Sequence, residues 1–335
     1  MRSPDLPRAD APQARELRFA LLADLDVPPD ERARRLVAHI VDTFGPAASA
    51  VIHYGSHAHS RGGSPGGAYD FFVIVDSYAP AYRNFVERTR PRFGHRVPTV
   101  LAHILPPSIV ALTLRDGADV ATAKCAVLTP RHLLALCSPG APDHFTKGRL
   151  FQQVRLAWTR SAADRAAVEE ALLEARTGTF EWVRPWLPDT FDAAGYSRTL
   201  LAVSYAAEIR PETADRSEQV FAAQREVLVP MYDALLHSLA ARGQLSYTNG
   251  RWSLARRTSR WRRMRTALYF RRSKTRATLR WGKHMWLYDD WPDYLQAKVA
   301  RHTGVVVELT PRERRWPVIF LWPKVIRYLR SRRIT

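Results

Sequence analysis

The chain has 335 residues, with 51 Lys and Arg against 32 Asp and Glu, which gives a formal net charge of +19. This length allows two domains, and the strong positive balance favours anionic partners such as nucleotides, acidic lipids or nucleic acid. Two cysteines are too few for a disulfide framework or a structural zinc site, and a reducing compartment suits them. No apolar run approaches the roughly 18 residues of a membrane span.

The first predicted helix begins after Asp30, a typical N-cap residue, and ends before Gly45. Its apolar face consists of Leu36, Val37, Ile40, Val41 and Phe44. Further along, residues 98–128 predict strand with a turn at residues 115–117, and the Ala-rich residues 155–176 predict a helix.

Between these segments lies a strand–turn–strand pattern. Residues 49–54 predict a strand that leads into Gly55 and Ser56, and residues 70–76 predict a second apolar strand bounded by Asp70 and Asp76. Because side chains alternate across a strand, both carboxylates share one face and lie at opposite ends of it. The alternative interpretation is that Asp70 ends a loop and Asp76 caps a turn.

This pattern is typical of a nucleotidyltransferase fold. A glycine turn lets backbone N–H groups approach phosphate oxygens, and carboxylates on the next strand hold Mg²⁺ against the same phosphates. We therefore expect Gly55 and Ser56 to bind a nucleoside triphosphate, and Asp70 and Asp76 to hold Mg²⁺ as cofactor. Position 72, where such folds commonly have a second acid, is Phe.

Other polar residues near this pattern have two interpretations each. Lys124 lies in an apolar stretch, where it contacts the triphosphate or is a charge at a strand edge. Three histidines flank the Gly-Ser turn, and we expect them to be solvated or to face phosphate rather than to bind zinc. They are His53, His57 and His59.

A second module follows at residues 219–256. Residues 220–241 predict a helix, and Asn249-Gly250 between two short β-type runs predicts a two-residue hairpin turn. A helix followed by a hairpin is typical of a winged helix.

Basic surface segments end the chain. Residues 251–283 contain thirteen Arg or Lys, no acid and several aromatic residues, which indicates a contact surface for nucleic acid or for an anionic membrane. Near the C-terminus a predicted amphipathic helix combines apolar and basic residues and is expected to lie in a membrane interface, or alternatively to pack on its own domain. Its lipid-contacting residues are Trp322, Lys324, Ile326, Arg327, Leu329 and Arg330.

The chain resembles the mitochondrial-type phosphatidate cytidylyltransferases, which make CDP-diacylglycerol. The resemblance rests on Gly55-Ser56 and on two aspartates six positions apart, Asp70 and Asp76, followed by Lys124 and by residues 147–150, Lys-Gly-Arg-Leu. It continues through residues 278–282, Thr-Leu-Arg-Trp-Gly, and through Tyr294 with Lys298. It implies that Asp70 and Asp76 hold Mg²⁺ and that Lys124 and Arg149 offset phosphate charge.

The expected fold class is α+β, with three parts. Residues 1–130 form a nucleotidyltransferase catalytic domain, residues 131–305 a helical, winged-helix-like domain, and residues 306–335 a basic amphipathic tail. The expected activity converts CTP and phosphatidate to CDP-diacylglycerol and pyrophosphate, in the cytoplasm at the inner face of a bacterial membrane. The alternatives are a nucleotidyltransferase acting on RNA, protein or a small molecule, and a non-catalytic protein that binds nucleic acid.

Overall fold

The computed structural model describes residues 12–59, 67–91, 93–117, 119–208, 214–287 and Thr310, and within them the chain forms a mixed α+β fold. The helices are α1 Pro12–Leu22, α2 Glu31–Phe44, α3 Tyr78–Thr89, α4 Arg96–Ile104, α5 Pro130–Cys137, α6 Lys147–Leu150, α7 Ala162–Thr177, α8 Thr179–Val183, α9 Ala193–Ala206, α10 Ala214–Ala241 and α11 Arg260–Leu287. The strands are β1 Ala48–Tyr54, β2 Tyr69–Val75, β3 Ser108–Asp116, β4 Asp119–Leu128, β5 Arg155–Thr159, β6 Thr190–Phe191, β7 Leu245–Thr248 and β8 Arg251–Leu254. Of the helices in these ranges, none combines the length and the apolar character needed to cross a bilayer.

The main sheet has five strands in the order β3-β4-β2-β1-β5. Only β2 and β4 pair in parallel; the other neighbours are antiparallel. Both faces are covered, because alternate residues of β2 enter two different cores. Phe71 and Val73 pack against α2 and α3, whereas Phe72 and Ile74 pack against α5 and α7. Burial of each large apolar side chain contributes about 1.5–3 kcal/mol, so this double packing fixes the strand that carries Asp70.

The predicted α2 helix is confirmed together with its boundaries. The Asp30 carboxylate accepts a hydrogen bond from the backbone N–H of Ala33 at 2.8 Å, and Gly45 ends the helix with φ of +57°. The predicted hairpin is also confirmed as β7 and β8, with positive φ at both Asn249 and Gly250. These elements follow from local side-chain chemistry, which explains why the sequence predicts them.

Two predicted elements are wrong. Residues 155–159 form the edge strand β5 rather than the start of a helix, and α7 begins only at Ala162, after Ser161 as N-cap. Residues 98–104 belong to helix α4 and not to a strand. Pairing of β5 with β1 outweighs the helical propensity of residues 155–159. The sheet layer therefore extends past the predicted domain boundary at residue 130.

A second core lies among the remaining helices. It includes residues from α1, α8, α9 and α10, the small sheet β6-β8-β7 and Phe270 of α11, with the Trp252 side chain 1% exposed. Apart from Thr310, the predicted tail lies outside the described residues, as do the motif at Tyr294 and Lys298 and the six predicted lipid contacts. Those contacts are Trp322, Lys324, Ile326, Arg327, Leu329 and Arg330.

Candidate functional site

The turn after β1 brings its backbone against a carboxylate. Gly55 has φ of +82°, and a Cβ placed on it would lie 2.9 Å from Oδ2 of Asp70. The turn closes through a hydrogen bond of 3.0 Å from the backbone N–H of Ala58 to the carbonyl oxygen of Gly55. Ser56, inside this turn, is exposed. The absence of a side chain at position 55 is therefore what allows Asp70 to approach the turn.

Strand register adds two side chains to Asp70. Tyr54 is its partner on β1, and Lys124 is its partner on β4. Residues that pair directly across neighbouring strands lie on one face of a sheet, so Tyr54, Asp70 and Lys124 form a row across three strands. Tyr54 is buried, whereas Asp70 and Lys124 are half-buried. The row lies at one end of the sheet face to which the core residues Phe72 and Ile74 also belong.

Arg149 reaches this row from helix α6. Its Nη1 donates to the carbonyl oxygen of Phe145 at 2.9 Å, its guanidinium lies 3.9 Å from the centre of the Phe145 ring, and it forms an ion pair with Glu208 at 3.3 Å. Burial lowers the pKa of Arg149, but electrostatic interactions with Glu208, Tyr54, Asp70 and Tyr205, in decreasing order of effect, raise it above its ordinary value. Arg149 therefore lies within electrostatic reach of Asp70 and stays charged.

Helix α11 packs beside the same cluster. Arg280 is buried and donates to the Asp143 carboxylate at 2.7 Å, and its guanidinium lies 4.6 Å from the centre of the same Phe145 ring. One turn further on, Lys283 donates to the carbonyl oxygens of Leu105 and Pro107, at 2.6 Å and 3.0 Å. These contacts fix the inner face of α11 against the segment that leads into β3.

The structure does not bring Asp76 to Asp70. Asp76 follows the far end of β2, and six residue steps along the extended chain separate it from Asp70 by about 20 Å. The Asp76 carboxylate instead forms two hydrogen bonds with Arg160, at 2.6 Å and 2.8 Å, and this pair lowers its pKa. This corrects the expectation that Asp70 and Asp76 hold one Mg²⁺ ion. Asp119, at the start of β4, pairs with Arg32 and Arg35 of α2.

The histidines beside the turn belong mostly to the other face of the sheet. His53 is fully buried, and its ring lies 4.9 Å from that of Phe71 and 5.7 Å from that of Tyr69. Neither ring nitrogen of His53 has a hydrogen-bond partner within the described part of the chain, and burial lowers its pKa to about 3. His57 stacks on Tyr69 at 4.1 Å. The expectation of a solvated or phosphate-facing group is wrong for His53.

Metal binding can be tested against these residues. Across the described ranges, no three His, Cys, Asp or Glu side chains are grouped so that they could hold a metal ion. Phe72, at the usual position of a second acid, is fully buried. Mg²⁺ keeps several waters and takes ligands from substrate phosphates, so one or two protein carboxylates suffice. Asp70 beside the turn meets this minimal requirement.

Sequence reasoning missed two residues of this cluster. Tyr54 could have been found from the alternation along β1 and its expected pairing with Asp70. Glu208 had no local signal, because it reaches Arg149 through the packing of α6 against α9. This packing is close at Gly148, where a Cβ would lie 3.0 Å from Oγ of Ser204.

Comparisons with known proteins do not assign the chain to a family. No protein-family model matches the chain, and no curated protein matches it.

Proposed function

We propose that this chain is a nucleotidyltransferase whose site lies between the Gly55-Ser56 turn, Asp70, Lys124 and Arg149. The observation that carries the proposal is the approach of the Asp70 carboxylate to the turn, which requires glycine at position 55. A phosphate-binding turn and a metal-binding carboxylate must be adjacent if one triphosphate is to contact both. In this proposal the five-stranded sheet is a nucleotidyltransferase fold, and α10 with its hairpin is a winged-helix-like module.

The roles of the residues follow from their charges. The turn supplies backbone N–H groups and the Ser56 hydroxyl to phosphate oxygens. Lys124 and Arg149 offset negative charge as the phosphate oxygens rearrange. Asp70 would hold Mg²⁺, which when bound neutralises charge on the triphosphate. Glu208 is a positioning residue, because its ion pair fixes the guanidinium of Arg149.

For the substrates we propose CTP and phosphatidate, from the resemblance described above and from the strongly basic chain. An oxygen of the phosphatidate phosphate attacks the α-phosphorus of CTP, and the bond to the β-phosphate breaks. Pyrophosphate leaves with the electron pair, and CDP-diacylglycerol is the other product. The attacking phosphate is already ionised, so no strong general base is needed. The enzyme would act as a peripheral protein on the cytoplasmic face of a bacterial membrane.

Phe72 favours a second candidate function. Where the usual second acid is replaced by a core residue, a nucleotide can bind without transfer, as in a regulatory or nucleic-acid-binding protein. Transfer to RNA, to protein or to a small molecule is a further alternative for the acceptor. Pyrophosphate release separates these candidates, because only an enzyme produces it and only the true acceptor stimulates it.

The experiment measures pyrophosphate release from each nucleoside triphosphate with Mg²⁺, with and without phosphatidate vesicles. We expect release with CTP only when phosphatidate is present. Asp70→Asn should lower the rate at least about 100-fold, because a metal ligand contributes several kcal/mol of charge stabilisation in the transition state.

Asp76→Asn is the matched control, because it removes the same charge from the far end of β2. It should keep its rate. Equal rates for Asp70→Asn and the unchanged protein would contradict the site. Nucleotide binding without pyrophosphate release under any condition would support the second candidate.

A further inference from the structure

Helix α11 has two faces of different character. Its sequence contains ten Arg or Lys and no acid. The inner face is occupied by contacts within the chain: Arg276 and Arg280 bind Asp143, Ser273 contacts His144, and Lys283 binds backbone carbonyls. Most of the helix's remaining cations lie on its outer face, where side chains are exposed.

The outer face combines an apolar stripe with cations on both sides. Trp261, Met264, Leu268 and Leu279 are 66%, 55%, 64% and 60% exposed. Their spacing of three, four and eleven residues places them along one side of a helix with 3.6 residues per turn. By the same geometry, exposed Arg260 and Arg271 flank one edge of this stripe, and exposed Arg265 and Arg272 flank the other.

We propose that this outer face of α11 docks the protein on an anionic lipid bilayer, with the helix lying in the plane of the interface. The inference rests on the proposed function only because the proposed acceptor, phosphatidate, is located in a membrane. An interfacial helix buries an apolar stripe at the boundary of the acyl chains and places Lys and Arg at the headgroups. Both parts are present on α11.

The charge and the exposed apolar area of the outer face of α11 favour a bilayer over other binding partners. Nucleic acid would pair with the arginines, but its phosphates would leave Trp261 and Leu268 in water. A second copy would place one acid-free basic helix against another, and like charges would repel. An anionic bilayer is the partner that satisfies the cations and the apolar stripe together.

The position of the candidate site agrees with this docking. The inner face of α11 contacts the segment leading into β3 and shares the Phe145 ring with Arg149. One helix separates the two surfaces, and a helix with its side chains is about 10 Å thick. A docked protein would therefore hold Arg149 close to the headgroup layer, where a lipid phosphate can reach it.

The test measures cosedimentation of the full chain with vesicles of phosphatidylcholine, with and without phosphatidate. The charge variant removes three exposed cations that flank the stripe: Arg260→Gln, Arg271→Gln and Arg272→Gln. The apolar variant removes three exposed stripe residues: Trp261→Gln, Met264→Gln and Leu268→Gln. Each variant has a control in which three exposed residues of the same character are changed on elements other than α11. These controls are Arg83→Gln with Arg131→Gln and Arg225→Gln, and Phe19→Gln with Val27→Gln and Val120→Gln.

We expect the unchanged protein and both controls to bind vesicles that contain phosphatidate. The charge variant should lose about 100-fold in partitioning at low salt, because each cation near an anionic surface contributes about a factor of five. The apolar variant should lose at least about 10-fold, and its loss should persist at high salt, which screens charges only. Circular dichroism and urea denaturation establish that each variant remains folded.

Binding by both α11 variants as tight as that of their controls would overturn the proposal, and would favour residues 306–335 as the contact. Tight RNA binding lost in the charge variant, without vesicle binding by the unchanged protein, would overturn it in favour of nucleic acid. Vesicle binding through α11 without any pyrophosphate release would support the docking face while contradicting the proposed reaction. The two proposals can therefore fail separately.

Discussion

At the scale of single residues, position 55 combines two constraints. The backbone φ of +82° favours glycine, and the space where a Cβ would stand is taken by the Asp70 carboxylate. Gly117 shares only the first constraint, because its φ is +58° and a Cβ there would meet nothing within 4 Å. The two glycines therefore separate backbone strain from collision with the site.

We predict that Gly55→Ala weakens CTP binding at least about tenfold, because the new methyl group displaces Asp70 from the turn. Gly117→Ala should leave CTP binding unchanged. Both should lose about 1 kcal/mol of unfolding free energy, since each places alanine at positive φ. Titration calorimetry and urea denaturation measure the two effects, and equal CTP affinities in the two variants would contradict the phosphate-binding turn.

Residue types along the chain predict part of this site, but they do not predict which side chains pair with one another. Gly55, Ser56 and Asp70 are adjacent through one turn, so their association could be predicted from local sequence. The position of Lys124 in an apolar run makes it a candidate from sequence alone, and the strand register places it beside Asp70. Asp76 has the same residue type and lies on the same face of β2, but the length of the strand separates it from Asp70. Its partner Arg160 lies 84 residues after it in the chain, so no local pattern predicts that pair.

At the scale of elements, a buried ion pair connects the chain after α1 to α7. Arg176 and Asp24 have no exposed side-chain area, and their atoms lie 2.7 Å apart. Arg176 also donates to the carbonyl oxygen of Gln152 at 3.0 Å, and Asp24 accepts from the backbone N–H of Val154 at 2.8 Å. The pair therefore fixes the segment between α6 and β5.

We predict that Arg176→Leu lowers the unfolding free energy by about 3–5 kcal/mol, because it leaves a buried carboxylate without its cation. Arg165→Leu, on the same helix, removes an arginine that is 39% exposed and paired with Asp26 and Glu169. Its loss should stay within about 1 kcal/mol, as for other surface ion pairs. Urea denaturation compares them, and similar losses would contradict the importance of the buried pair.

Elements with local determinants were the predictable ones. The N-cap of α2 and the Asn249-Gly250 turn are properties of a few adjacent residues. In contrast, β5 is a strand because it pairs with β1, although residues 155–176 favour a helix. The sequence predicts strand where helix α4 forms, because its short apolar run has no clear period.

At the scale of the whole molecule, buried neutral histidines set the response to acid. Burial lowers the pKa of His53 to about 3, and burial also lowers the pKa values of His59 and His144 to about 4. In the unfolded chain histidine has a pKa near 6.5. Below that pH these histidines bind protons in the unfolded state but stay neutral in the folded state. Stability is therefore complete above pH 6.5 and falls as the pH drops towards 4.

We predict a loss of up to about 1.4 kcal/mol per pH unit for each of these histidines between pH 6.5 and pH 4. His53→Phe should reduce this slope, because phenylalanine suits the contacts with Tyr69 and Phe71 and takes up no proton. His237→Phe is the control, since the His237 side chain is 61% exposed. Urea denaturation across this range measures the slopes, and identical slopes for the two variants would contradict this account.

The strand order has a consequence for the time at which the molecule can form. β1 pairs with β2, the next strand along the chain, but its other neighbour, β5, is made about a hundred residues after β1. Arg280 joins Asp143 across 137 residues. Such distant pairings make folding slow, because loop closure precedes the contacts that reward it. A chain synthesised from its N-terminus therefore exposes one open edge of β1 until β5 emerges, and this edge is where a chaperone would be needed most.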